Sequence, residues 1–172
     1  MKLESYLHGP LTRLGLYAAM ATAVLDQALK LWLLFVYDLG DRGRVPLGRF
    51  IDLVLTWNTG ISYGLFRQDS FSGQLVLLAI KAVAVVLLWI WLARATSRLA
   101  ALSLGLIIGG AVGNAVDRLI YGAVADFVLF HVTTPTWEFN WYVFNLADTG
   151  IVAGVAGLLY DSVFGPGAAK AP

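Results

Sequence analysis

"LAALSLGLIIGGAVGNAVDRLIYGAVADF", residues Leu99 to Phe127, opens on side chains suited to lipid and closes on an aspartate. No charge appears before Asp117, and Leu99 to Tyr121 reaches the ~20 mostly apolar residues that a membrane-spanning helix needs. Polar groups at membrane depth are costly, so Asn114, Asp117 and Arg118 mark either a specific buried contact or a functional site. Asn114 lies three residues before Asp117 and four before Arg118, so all three share one helical face. Asp117 can be compensated by its neighbour Arg118 or by an adjacent helix. Gly122 offers the left-handed position that ends a helix. Asp126 then falls in "AVADFVLF" (Ala123–Phe130), an extended apolar segment with no cation nearby in sequence. An uncompensated carboxylate there is a functional candidate; the plainer alternative is a solvent-facing aspartate in a loop.

Composition supports a membrane protein. The chain has 172 residues, 59% hydrophobic and 13% charged, and its mean hydropathy is +0.74. Soluble domains carry about 25% charged residues. The net charge of +1 argues against a nucleic-acid partner. The absence of cysteine excludes disulfides and thiolate chemistry.

Three further apolar runs accompany the first, and the expected spans are residues 14–37, 71–93, 99–121 and 145–164 of one integral membrane domain covering 1–172. Extramembrane segments are expected at about 38–70 and 122–144. Only "RATSR" (Arg94–Arg98) separates the middle spans, which predicts an antiparallel helical hairpin. The start, "MKLESYLHGPLTRLGLYAAMATA", has the features of a cleavable signal peptide, yet the apolar run resumes through "LWLLFVY" and reads as a retained helix. Charge leaves the orientation open. Lys2, Arg13, Arg94 and Arg98 favour a cytoplasmic side for the ends and the short loop, whereas Arg42, Arg44, Arg49 and Arg67 crowd the opposite segment.

Polar residues recur near the other spans. Asp26 and Lys30 stand at i and i+4, either as a packing ion pair or as a wall of a site. "FIDLVLTW" (Phe50–Trp57) alternates like a short strand, and Asn58-Thr59-Gly60 reads locally as a hairpin turn. "FNLADTGIVAG" (Phe144–Gly154) opens the last run, with Asn145 as an N-cap and Asp148 at the capping-box position. Capping alone accounts for Asp148. The alternative is that Asp126 and Asp148 return to one membrane surface, where two carboxylates can divide the roles of acid and base. The tripeptide Asp148-Thr149-Gly150 also occurs in pepsin-like proteases, but there it belongs to a β-rich fold. His8 and His131 lack metal-ligand spacing, so no metal site is expected.

"DQALK", "WNTGISYG", "GNAVDR", "GAVADF" and "FNLADTGI", in this order across four expected spans, resemble the lipoprotein signal peptidases, also called signal peptidase II. The resemblance covers about Leu14 to Tyr160. It implies a mainly α membrane protein of four transmembrane helices, with a small extracytoplasmic β-containing segment between helices 1 and 2. It implies an aspartic endopeptidase of the bacterial inner membrane, cleaving prolipoproteins before a diacylglyceryl-modified cysteine. By position, the catalytic pair corresponds to Asp126 and Asp148. The other pocket positions correspond to Asp26, Lys30, Asn58, Gly60, Asn114, Asp117, Arg118 and Asn145. The expected partners are the lipidated precursor and membrane phospholipid, with no cofactor and a monomeric enzyme. Both termini would be cytoplasmic and the polar segments periplasmic. The sequence departs from the family pattern at Leu29, often Ser or Thr, at "ISY" after Gly60, at Tyr142, often proline, and in the long "HVTTPTWEFNWY" (His131–Tyr142). A proton-coupled transporter or a non-catalytic membrane binder would also place acids at membrane depth, although four spans without inverted repeats do not suit the usual transporter plan.

Overall fold

Pro10 and Thr12 set the start of the first helix, with the Gly9 N–H donating to Thr12 Oγ1 at 2.8 Å. The structure is a computed structural model that describes residues 7–60 and 71–165. Lys2, Ile61-Ser62-Tyr63, Arg67 and the tail from residue 166 lie outside the described residues. Helix α1 spans Thr12–Phe35, two residues earlier than expected at each end, because the Tyr37 N–H folds back onto the Trp32 carbonyl at 2.8 Å and closes the last turn. A short α2 (Leu39–Arg42) and strands β1 (Val45–Pro46) and β2 (Ile51–Asn58) follow. Helices α3 (Phe71–Ala93) and α4 (Arg98–Tyr121) form the expected hairpin, then come β3 (Val124–Thr133), β4 (Glu138–Phe144) and α5 (Leu146–Phe164).

Four of these helices are long and apolar enough to cross a membrane. Val24, Leu87 and Val152 are each more than 60% exposed on their outer faces. Apolar surface of that extent suits hydrocarbon rather than water. Helix α4 is central, and glycine lets its neighbours close in. A Cβ on Gly109 would sit 2.4 Å from the Ala19 carbonyl oxygen of α1, and one on Gly110 would sit 2.4 Å from the Ala147 carbonyl oxygen of α5. Membrane helices associate by such close packing of small residues, since lipid supplies no hydrophobic drive between them.

The sheet is antiparallel throughout, in the order β1-β2-β3-β4. The strand expected between the first two spans is present, but the sheet reaches further, because β3 and β4 come from the connection between α4 and α5. The long His131–Tyr142 stretch is accounted for: Thr134 turns the chain, its N–H meeting the Trp137 carbonyl at 2.9 Å, and β4 runs back toward α5. Buried Leu33, Leu39 and Phe127 pin the sheet to the end of α1, with Leu29 packed against them. At the other end of the bundle, Ser97 caps α4 and donates to Asp161 Oδ1 at 2.7 Å.

Candidate active site

Gly122 decides where Asp126 goes. It takes a left-handed conformation (φ 72°) and its N–H meets the Arg118 carbonyl at 3.1 Å, so α4 stops and β3 begins two residues later. Asp126 lies on β3 opposite Thr56 and is 3% exposed. Its Oδ2 accepts from Asn58 Nδ2 at 3.1 Å and its Oδ1 from Asn145 Nδ2 at 2.6 Å. Asn145 caps α5 in a full capping box: its Oδ1 accepts the Asp148 N–H at 2.8 Å, and its own N–H donates to Asp148 Oδ2 at 3.3 Å. Asn114 donates to Asp148 Oδ1 at 2.8 Å. One asparagine, Asn145, therefore contacts both carboxylates.

Burial, and then the charge of Asp148, push the Asp126 carboxyl up to about 7, against the hydrogen bonds of Asn58 and Asn145 and the charge of Lys30. Asp148 instead sits in the first turn of α5, where the helix dipole favours an anion. The two carboxylates thus stand in different environments, Asp126 on a buried strand and Asp148 in the first turn of a helix. Both line a cavity of about 430 Å³, with Asn58, Trp141, Val143 and Phe144 on the sheet side and Thr149 to Ala156 along α5. That size suits a ligand pocket.

A second charged cluster lies behind the first. Lys30 Nζ is 2.7 Å from Asp26 Oδ2, 2.8 Å from Asp117 Oδ2 and 3.1 Å from Asn114 Oδ1. Asp117 Oδ2 also accepts the N–H of Ala125, and Asp26 Oδ1 accepts the N–H of Ala147, at 3.1 and 2.9 Å. Each buried acid thus holds the peptide immediately before one pocket aspartate. Asp117 is compensated from α1, by Lys30 at 2.8 Å and by Gln27 Nε2 at 2.7 Å. The Arg118 side chain turns to the Gly60 carbonyl, and the Gly60 N–H returns to Asn58 Oδ1 at 2.9 Å. The Asn58-Thr59-Gly60 turn is therefore built against Asp126, not set apart from it.

All ten sequence-derived positions meet in these two linked clusters. Gln27, the backbone of Ala125 and Ala147, and the walls Trp141 and Val143 were missed. Gln27 had a signal, as a polar neighbour of Asp26 inside an apolar run; the others depend on tertiary pairing. His131 stands apart from the cavity lining, with its Nε2 3.1 Å from Asp52 Oδ1. Burial pushes the Asp52 carboxyl up, but hydrogen bonds from Arg44 and His131 outweigh it and leave it below the usual range.

The family model described as Signal peptidase (SPase) II matches residues 18–164. The chain belongs to the signal peptidase II family. It is 64% identical over 160 residues to a lipoprotein signal peptidase of Nitrobacter hamburgensis, covering 93% of this chain and 98% of that one. It is 59% identical to a lipoprotein signal peptidase of Rhodopseudomonas palustris over the same shares. A solved structure titled as a bacterial membrane enzyme, determined in meso at 1.9 Å resolution, superposes with a TM-score of 0.67 over 92% of this chain and 97% of that one. At 20% identity that likeness speaks for the fold. Family and helices together make this chain a multi-pass membrane peptidase.

Proposed function

We propose that this protein removes signal peptides from prolipoproteins at the bond before a diacylglyceryl-modified cysteine, with Asp126 and Asp148 as an aspartic catalytic pair. The observation that carries the reading is the shared cavity, in which the two acids meet through Asn145 but stand in unlike environments. Ionised Asp148 takes a proton from water as the water oxygen attacks the scissile carbonyl. Protonated Asp126 polarises that carbonyl, and a proton then passes to the departing amine. Asn58 and Asn145 hold Asp126, Asn114 holds Asp148, and the Lys30 cluster fixes both backbones.

The α5 wall from Thr149 to Ala156 runs down the bundle beside lipid-facing Val152, a path for acyl chains that never leave the bilayer. In this reading the enzyme lies in the bacterial inner membrane, with the sheet periplasmic and the opposite end cytoplasmic. Arg13, Arg94 and Arg98 at that opposite end fit the excess of basic residues in cytoplasmic loops.

The direct test gives the detergent-purified protein a diacylglyceryl-modified precursor and its unlipidated counterpart. Cleavage of the lipidated form only, unchanged by a chelator, is expected. Full activity on the unlipidated form, or loss to a chelator restored by zinc, would contradict the reading.

A further inference from the structure

The short α2 joins α1 to the sheet, and its charges serve neither of the acid clusters. Leu39 is fully buried with Leu33 and Phe127 and pins this turn to the end of α1. Left-handed Asp38 (φ 55°) opens the turn and left-handed Gly43 (φ 69°) closes it. Arg42 is fixed from behind. Its guanidinium lies 4.5 Å from the centre of the Tyr37 ring, that ring stacks on Trp32 at 5.2 Å, and Arg42 Nε donates to the Tyr37 carbonyl at 2.6 Å. Among the described residues, the two terminal nitrogens of Arg42 make no hydrogen bond or ion pair, and neither do the carboxylates of exposed Asp38 and Asp41. Nearby Arg44, by contrast, is taken by Asp52.

Depth identifies what fits this group. Trp32 is exposed in the last turn of a helix long enough to span a bilayer. Tryptophan and tyrosine in such places sit at headgroup level, so a guanidinium stacked on them is held at the same level. A planar fork with open N–H groups matches two oxygens of a phosphate diester. The two free acids narrow the choice, since a headgroup carrying only negative charge would be repelled by them. A zwitterion offers its phosphate to Arg42 and a primary ammonium to Asp38 or Asp41. One turn before Trp32, the small side chain of exposed Ala28 lies among exposed Leu25 and Leu31, which leaves a shallow seat for an acyl chain. None of these residues lines the cavity of Asp126 and Asp148. We infer that Trp32, Tyr37 and Arg42, with Asp38 and Asp41, form a binding site for one phospholipid with a phosphoethanolamine headgroup. The site depends neither on the proposed cleavage chemistry nor on which end of the bundle faces the periplasm.

The test reconstitutes the full chain in nanodiscs of phosphatidylethanolamine, phosphatidylcholine and phosphatidylglycerol in equal amounts with identical acyl chains. The protein is then released into mild detergent, and the retained lipid is identified by native mass spectrometry. Phosphatidylethanolamine should be retained about tenfold over each of the others, as expected for one set of charge-assisted hydrogen bonds. Arg42→Gln should remove that excess, and Arg42→Lys, which keeps the charge without the fork, should keep only part of it. Asp38→Asn with Asp41→Asn should still retain lipid but no longer favour the ethanolamine headgroup over choline. Equal retention of the three lipids by the wild type, or an undiminished excess in Arg42→Gln, would overturn the proposal. Displacement of the lipid by an equal concentration of inorganic phosphate would make this a plain anion site and overturn it as well.

Discussion

At the scale of single residues, ionising Asp126 costs free energy. Its carboxyl titrates near 7 in the folded protein against 3.8 for the ordinary group. The folded state therefore keeps a proton that the unfolded chain has released, and stability is full below about pH 4 and falls as pH rises toward 7. Asp126→Asn removes that cost, so the variant should melt at or above wild type at pH 8, with a gain of up to about 2–4 kcal/mol, and match wild type at pH 4. Detergent melting curves at the two pH values check this; a variant less stable at both would refute it. In the proposed mechanism Asp126 acts in its protonated form, so kcat/KM should also decline as pH rises through about 7. The second cluster should behave in the opposite way. Lys30→Met leaves Asp26 and Asp117 buried without their shared cation, a loss on the order of 3–5 kcal/mol that the same melting assay would detect.

At the scale of elements, much of the plan is legible in the sequence because its causes are local. The long apolar runs give the helices, Gly122 gives the end of α4, and Asn145 with Asp148 gives the capping box. What escapes is set by tertiary pairing. Nothing near Asp117 in sequence singles out Lys30 as its ion-pair partner; the sequence leaves open Arg118 or an adjacent helix, and the fold supplies Lys30 from α1. Nothing local to "HVTTPTWEFNWY" shows that its second half joins a sheet begun before α3. Among the site positions, Asp126 stands out locally for its lack of a nearby cation, whereas Asn58 reads as an ordinary turn until β2 pairs with β3. Helix packing yields its own prediction. Gly109→Leu must push α1 away from α4, since even a Cβ would stand 2.4 Å from the Ala19 carbonyl oxygen. A loss of about 1–3 kcal/mol is expected, read as a lower melting temperature with reduced activity, because α1 carries Asp26 and Lys30.

At the scale of the whole molecule, one end of the bundle gathers the sheet and both acid clusters, and the other gathers the Ser97–Asp161 contact. The proposed orientation puts the first end in the periplasm. The chain has no cysteine, so Thr136→Cys on the exposed hairpin and Thr96→Cys on the exposed short loop give clean probes. A membrane-impermeant maleimide applied to intact cells with permeabilised outer membranes should label the first and spare the second. The reverse would invert the topology. The central claim, that Asp126 and Asp148 act as one catalytic pair, is tested most directly by cleavage of a lipidated precursor by Asp126→Asn and Asp148→Asn, with melting followed on the same preparations. The account predicts that each variant loses about a thousandfold or more in rate while staying folded, Asp126→Asn at or above wild-type stability and Asp148→Asn within about 1 kcal/mol of it. A folded variant of either aspartate that keeps a rate close to wild type would contradict it.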